Sequence, residues 1–285
     1  GIYSMSAQLL LGNDAIALGM VQSGCRVATA YPGTPSSEIL AGVVKFKKQL
    51  KCDVYTEWSA SEKVAFEVAL AASWSGLRAA TAMKQVGLNV AADPLFSAAY
   101  VGVVGGFVII PCDDPGPLSS QTEQDSRLLA LAAKVPVFDP ATPAEALAML
   151  PAAFDLSERY SIPVILRPTT RVCHAVQSVE THDIPARLAV PAGFKKDPQR
   201  FAATPVFRLK LHRELNTKIQ AIENDFCASP FNTLIPPASN TGESGKWKIG
   251  VIASGVACTT VQEVLDDFGV ELPVLKIGTP YPLPR

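Results

Sequence analysis

No two of the six cysteines share a CxxC spacing; they stand at positions 25, 52, 112, 173, 227 and 258. A zinc site or iron–sulfur cluster held by this chain alone is therefore not expected. Scattered thiols in an apolar chain read as reduced structural cysteines of the cytoplasm. Charge of one sign is also lacking. The formal net charge is −1, so the basic surface that a nucleic acid or an anionic membrane demands is missing. No apolar run reaches bilayer-spanning length, and residues 101–111 fall far short of it. No basic segment followed by an apolar stretch opens the chain, so no secretion signal is read. Residues 1–4, ahead of Met5, read as a cloning scar. There is no internal repeat. What is present is apolar: 48% of the 285 residues against 18% charged. That is enough for a substantial core and for two α/β domains.

Apolar spacing predicts helices over residues 9–24, 35–48, 59–75, 124–133 and 143–160. Between them, short apolar runs predict strands at 26–31, 53–57, 78–83, 106–111, 135–138 and 163–166. Runs of this kind, alternating with helices of ten or more residues, signal a mostly parallel sheet with helices on both faces. From residue 167 to about 204 the rhythm gives way to charges and prolines, as in a connector. Residues 205–226 read as one amphipathic helix and 228–245 as a mobile Pro/Ser/Asn/Gly-rich segment. A strand at 247–253, a helix at 256–267 and a strand at 272–277 then look like the start of a second α/β domain. Two strands do not stand alone, so the chain is expected to be part of a longer polypeptide or to be completed by a partner.

Three turns carry candidate chemistry. The first follows a buried strand: Tyr31-Pro32-Gly33-Thr34-Pro35-Ser36-Ser37-Glu38. Thr34 suits an N-cap, Pro35 the first helical position, and Gly33 a tight turn. The free amides of such a start favour an anion, beyond the C-terminal end of a strand where open α/β sheets bind ligands. A plain capped turn explains the same residues. The second candidate is Glu62. Ser59 and Glu62 have the Ser-x-x-Glu spacing of a capping box, yet a carboxylate at the mouth of so apolar a helix is also suited to sharing a proton with a nitrogen base. The third is a pair of loops, 84–89 (KQVGLN) and 113–121 (DDPGPLSSQ). The second is long for its place and so more often functional than short ones; an exposed turn is the alternative. Cys173-His174 is set aside as a nucleophile pair, because neighbours on a strand point apart and no third group orients them.

Four segments, YPGTPSSE (31–38), MKQVGLNVAADP (83–94), DDPGPLSSQTEQDSR (113–127) and RPTTRVCH (167–174), resemble in order the N-terminal part of the α subunit of indolepyruvate:ferredoxin oxidoreductase. The likeness covers about residues 7–176 and, more weakly, 247–281. It implies a pyrimidine-binding α/β domain at 5–180, a linker with an amphipathic helix at 181–246, and the incomplete start of a transketolase C-terminal-like domain at 247–285. It implies oxidative decarboxylation of an aryl 2-oxoacid on thiamine diphosphate to an acyl-CoA. Coenzyme A would be the co-substrate and ferredoxin the electron acceptor. The carboxyl of Glu62 would hydrogen-bond the pyrimidine nitrogen opposite the amino group, which favours the imino form that takes the thiazolium proton. Gln85, Val86, Gly87 and Asn89 would line the cofactor; Gly33, Thr34, Ser119, Ser120 and Arg171 would line the substrate, with Arg127 a further candidate for its carboxylate. The chain lacks the Gly-Asp-Gly…Asn signature for diphosphate and magnesium, and a ferredoxin-like cysteine cluster. Magnesium and iron–sulfur clusters are therefore expected on missing or partner domains. The partners implied are a diphosphate-binding domain or subunit, a gamma/beta-type subunit and ferredoxin, in an oligomer, with the isolated chain inactive. Two other readings stand beside this one: a non-catalytic binding or assembly module that kept the fold, and a thiamine-dependent 2-oxoacid decarboxylase that does not use ferredoxin.

Overall fold

The chain does not open with the helix expected over 9–24. In the computed structural model, a strand, β1 (Met5–Leu11), turns at Gly12 into a shorter helix, α1 (Gly12–Gln22). The residues described are 5–182, 191–202, 204–237 and 248–285. Residues 1–4, read as a scar, residues 183–190 and 203 of the connector, and residues 238–247, most of them in the segment read as mobile, lie outside them. Leu9–Leu11 are apolar and fit either a helix or a strand. The strand wins because β1 pairs antiparallel with a segment far along the chain, Leu11 opposite Val176.

The next elements are β2 (Val27–Ala30), α2 (Ser37–Gln49), β3 (Tyr55–Trp58), α3 (Glu62–Trp74) and β4 (Ala79–Lys84). The segment 84–89 is not the loop expected but the start of a short helix, α4 (Gln85–Val90), continued by α5 (Ala92–Val101). Then follow β5 (Phe107–Cys112), α6 (Ser126–Ala133), β6 (Val137–Phe138), α7 (Pro143–Tyr160) and β7 (Val164–Leu166). The start of the expected connector is ordered: α8 (Thr170–His174) leads into β8 (Val176–His182), the partner of β1. Cys173 and His174 therefore sit on a helix rather than a strand. Cys173 is buried and His174 exposed, so they still do not form a pair. After α9 (Pro198–Phe201), the amphipathic helix is α10 (Pro205–Cys227). Part of the segment read as mobile is a strand, β9 (Asn232–Ile235), followed by β10 (Val251–Ser254), α11 (Val256–Phe268) and β11 (Val274–Ile277).

The central sheet has six parallel strands in the order β3-β2-β4-β5-β7-β6. Every residue of β5 is buried, and β4 is buried up to Lys84, as a sheet covered on both faces requires. With right-handed crossovers, the leftward connections α2 and α7 share one face, where α1 packs between them. The rightward connections α3, α4 and α5 lie on the other face, and α10 packs over α5. Phe66 of α3 meets Phe107 of β5 edge to face, ring centroids 4.9 Å apart. The order reverses at β2 and β4: the chain leaves β2 for one face and β4 for the other. A crevice opens outside their C-terminal ends.

The last three strands form a separate sheet, β10-β11-β9, with β10 and β11 parallel and β9 antiparallel. It leans on the β6 edge, where the Val137 amide donates to the Tyr281 carbonyl and the Asp139 amide to the Gly278 carbonyl. No helix among the described residues is long and apolar enough to cross a membrane.

Candidate active site

The first turn leaves β2 and enters the crevice. Thr34 is not the N-cap of α2, and Pro35 is not its first residue: the helix begins at Ser37, with Ser36 in the cap position. Residues 33–36 first close a turn of their own, in which the Ser36 amide and hydroxyl both donate to the Gly33 carbonyl at 2.8 Å. The Gly33 amide donates to Ser37 Oγ at 2.9 Å. Asn13 of α1 donates to the Pro35 carbonyl at 2.8 Å and pins the turn from behind. The Thr34–Pro35 peptide is cis, and Thr34 is left exposed at the mouth.

Glu62 is the first residue of α3, not the third. The cap is Ser61, whose Oγ accepts from the Val64 amide at 3.4 Å. Ser59 instead donates to Glu57 Oε1 at 2.7 Å. The capping box read from Ser59 and Glu62 is thus not formed, and the Glu62 carboxylate is released from capping. Among the described residues it makes no hydrogen bond or ion pair. The Thr29 hydroxyl of β2 donates to the Ala65 carbonyl at 2.6 Å and fixes the first turn of α3 against the sheet. This brings Glu62 against α4. A β-carbon on Gly87 would lie 2.5 Å from Glu62 Cγ. Glu62 is half-buried, so the dry niche expected for it is only partly built by this chain.

The other candidate cofactor residues surround this contact. Gln85 is buried; its amide nitrogen donates to the Thr122 carbonyl at 3.4 Å, while its Oε1 has no partner. Asn89 donates to Gln124 Oε1 at 2.9 Å. Val86 is half-buried between Gln85 and Gly87. Residues 113–125 therefore fold over α4.

The shape of that loop comes from Asp114, which the sequence reading passed over. Its buried carboxylate accepts from the Leu118 and Ser119 amides, the Ser120 hydroxyl and the Thr170 hydroxyl, at 3.1, 2.9, 2.7 and 2.8 Å. Burial alone would raise its pKa, but these donors, led by the Ser119 amide, outweigh it and hold the carboxyl well below the usual range. Ser119 is laid across the crevice, its Oγ 3.4 Å from the Thr34 carbonyl. Lys84 was also missed. Its Nζ donates to the Ser119 carbonyl at 3.0 Å. Two signals stood in the sequence: an Asp before a Pro-Gly turn with two serines five and six residues on, and a lysine that is the sole charge between Arg78 and Asp93.

Arg127 is not available to a substrate. It forks onto Asp125 and reaches Asp139 at 3.1 Å. Asp139 also accepts from Arg167, which donates to Asp113 at 2.7 Å. Arg171 follows Thr170 on α8; its side chain is exposed and makes no ion pair among the described residues. Clefts along α10 and on the three-stranded unit lie away from the crevice. All six cysteines are free thiols.

Gly33, Glu62, Lys84, Gly87 and Ser119 thus lie together around one crevice. A family model for the thiamine diphosphate-binding part of pyruvate flavodoxin/ferredoxin oxidoreductases matches residues 18–226. The chain belongs to that family. The indolepyruvate oxidoreductase subunit IorA of Thermococcus kodakarensis is 47% identical over 283 residues, 97% of this chain and 42% of that protein. The subunit of the same name from Archaeoglobus fulgidus is 44% identical over 278 residues, 97% of this chain and 43% of its own length. The chain thus spans less than half of these curated relatives. A 2-oxoglutarate:ferredoxin oxidoreductase from Magnetococcus marinus, solved with 2-oxoglutarate, coenzyme A and succinyl-CoA bound, shares the fold. Its TM-score is 0.77 at 19% identity, over 98% of this chain and 55% of that one.

The residues present fit the aminopyrimidine end of thiamine diphosphate. A carboxylate without a partner faces a glycine that leaves backbone open, and the orphaned acceptor of Gln85 lies two residues before that glycine. Among the described residues, no group of three His, Cys, Asp or Glu side chains is arranged to hold a metal ion.

Proposed function

We propose that this chain supplies the pyrimidine side of a thiamine diphosphate site in a 2-oxoacid:ferredoxin oxidoreductase of the indolepyruvate type. The whole enzyme would oxidatively decarboxylate an aryl 2-oxoacid to an acyl-CoA. The observation that carries the reading is the unpartnered carboxylate of Glu62 set against Gly87 at a topological switch point. The aryl preference is supported by relatives named for indolepyruvate that align over nearly the whole chain.

When bound, the cofactor supplies the electron sink for decarboxylation that no side chain offers. The part of this chain is narrower. Glu62 holds a proton at the pyrimidine ring nitrogen. Its helix-start position against β2 and α4 fixes the direction of that proton. Gly87 admits a flat ring against the backbone, and Gln85, Val86 and Asn89 form the surrounding wall. Gly33, Thr34, Ser119 and Ser120 face the side where the 2-oxoacid enters, with Arg171 at the rim. Magnesium, diphosphate and iron–sulfur ligands would come from another domain or from gamma/beta-type subunits, with ferredoxin as acceptor and coenzyme A as co-substrate. The three-stranded unit would then be the beginning of a second α/β domain, and the chain alone would not turn over. Its free thiols support a cytoplasmic location.

The test uses the full-length enzyme with its partner subunits. Glu62→Gln should slow exchange of the cofactor's thiazolium C2 proton by about 100-fold or more while binding of 2-oxoacid analogues persists. Equal exchange and turnover in wild type and variant would refute the assignment.

A further inference from the structure

Lys84 closes β4 at the floor of the crevice, and its charge is unanswered. A β-carbon on Gly33 would meet Lys84 Cβ at 3.0 Å, so the lysine stem leaves the sheet in the seam between β2 and β4. Nζ donates to the Ser119 carbonyl at 3.0 Å and lies 3.5 Å from Ser119 Oγ. Both partners are neutral. Among the described residues no carboxylate lies within ion-pair distance of this ammonium. Asp114, which shapes the loop under Ser119, is saturated by its own four donors.

An ammonium carries three donors, and the contacts of this one with Ser119 are solvent-exposed, so an incoming anion can reach it. Lys84 is half-buried, has at least one donor to spare, and is aimed by Ser119 across the turn of Gly33 and Thr34. Arg127 and Arg167 are consumed by Asp113, Asp125 and Asp139, which leaves Arg171, exposed at the rim on α8, as the one other candidate cation the sequence offered.

We propose that Lys84 is the cation that receives the carboxylate of the 2-oxoacid. This rests on the function proposed above. Its chemistry also suits decarboxylation. The carboxylate must lose its charge as carbon dioxide leaves, and a clamp that binds the charge equally well throughout gives affinity without rate. A lysine already shared with a carbonyl is a single-point contact. It orients the acid more loosely than a bidentate arginine would.

In the assembled full-length enzyme, Lys84→Met should raise KM for phenylpyruvate or indolepyruvate by about 10- to 100-fold, the scale of one charge-assisted hydrogen bond. Inhibition by phenyllactate, a non-reacting carboxylate, should weaken by a similar factor, while inhibition by neutral 2-phenylethanol should not change. Lys84→Arg should restore KM but lower kcat. The dissociation constant of thiamine diphosphate and its C2 proton exchange should stay at wild-type values in all these variants. Two results would overturn the proposal: KM and phenyllactate inhibition unchanged in Lys84→Met, or cofactor affinity falling in their place, which would assign the ammonium to the diphosphate. Failure of the wider reading looks different. It appears as normal proton exchange in Glu62→Gln, whatever the Lys84 variants do.

Discussion

A β-carbon at position 87 would stand 2.5 Å from Cγ of Glu62 and 2.7 Å from its Oε1. No real side chain tolerates such a distance, so either the α4 backbone or the glutamate must move. Gly87→Ala is expected to weaken thiamine diphosphate binding by at least tenfold in the assembled enzyme, with little change in melting temperature, because the site is open on one side and the strain can relax outward. Isothermal titration with the cofactor, alongside a thermal melt, separates the two effects.

Asp114 organises the loop over the crevice through four accepted hydrogen bonds. Asp114→Ala should cost about 1–3 kcal/mol and expose residues 113–125 to limited proteolysis, with cleavage sites read by mass spectrometry. The ionised form is the one that accepts these bonds, and its native pKa is depressed. The stabilisation is therefore complete above the ordinary carboxylate value near pH 4. It is lost as pH falls from there toward the depressed native value. A series of melts from pH 7 to 3 should show a steeper acid limb for wild type than for Asp114→Asn.

Asp139 ties the two sheets together. It accepts from Arg167 and Arg127 on one side and from Ser254 Oγ at 2.7 Å on the other. Asp139→Ala strands buried guanidinium charge and should cost about 3–5 kcal/mol. Ser254→Ala removes a single hydrogen bond, at about 1 kcal/mol, and should speed amide exchange in β9, β10 and β11 more than in β4 and β5. Equal acceleration in both sheets would show that Ser254 does not hold the smaller unit.

Phe66 lies one turn beyond Glu62 on α3 and is fully buried against Phe107. Phe66→Ala should destabilise by about 3–5 kcal/mol, measured by denaturant unfolding. Because the same helix carries Glu62, cofactor affinity should drop with it, unlike in a comparable truncation at Met149 of α7 on the opposite face.

The six strands of the central sheet were legible from local pattern, while β1, α4, α5, α8, β8 and β9 were not. Runs such as Phe107–Cys112 are apolar throughout because both faces of their strand are covered, and helices such as Pro205–Cys227 show their periodicity directly. Boundaries were less legible where a long-range partner decided them. Leu9–Leu11 became strand only because residues 176–178 lie beside them. The start of α2 moved past Thr34 because Gly33 and Ser36 close a turn first.

By itself the sequence determined the parallel α/β architecture and the presence of a carboxylate at the head of an apolar helix, since both depend on residues close together in the chain. Only the tertiary structure decided what that carboxylate meets. Gly87 reaches Glu62 because α3 and α4 follow different strands of one sheet, and Lys84 is turned toward Ser119 by a loop that Asp114 folds. Such contacts join residues 25 to 35 positions apart. Their formation depends on strand order and on buried polar atoms finding partners, neither of which is written in any local pattern.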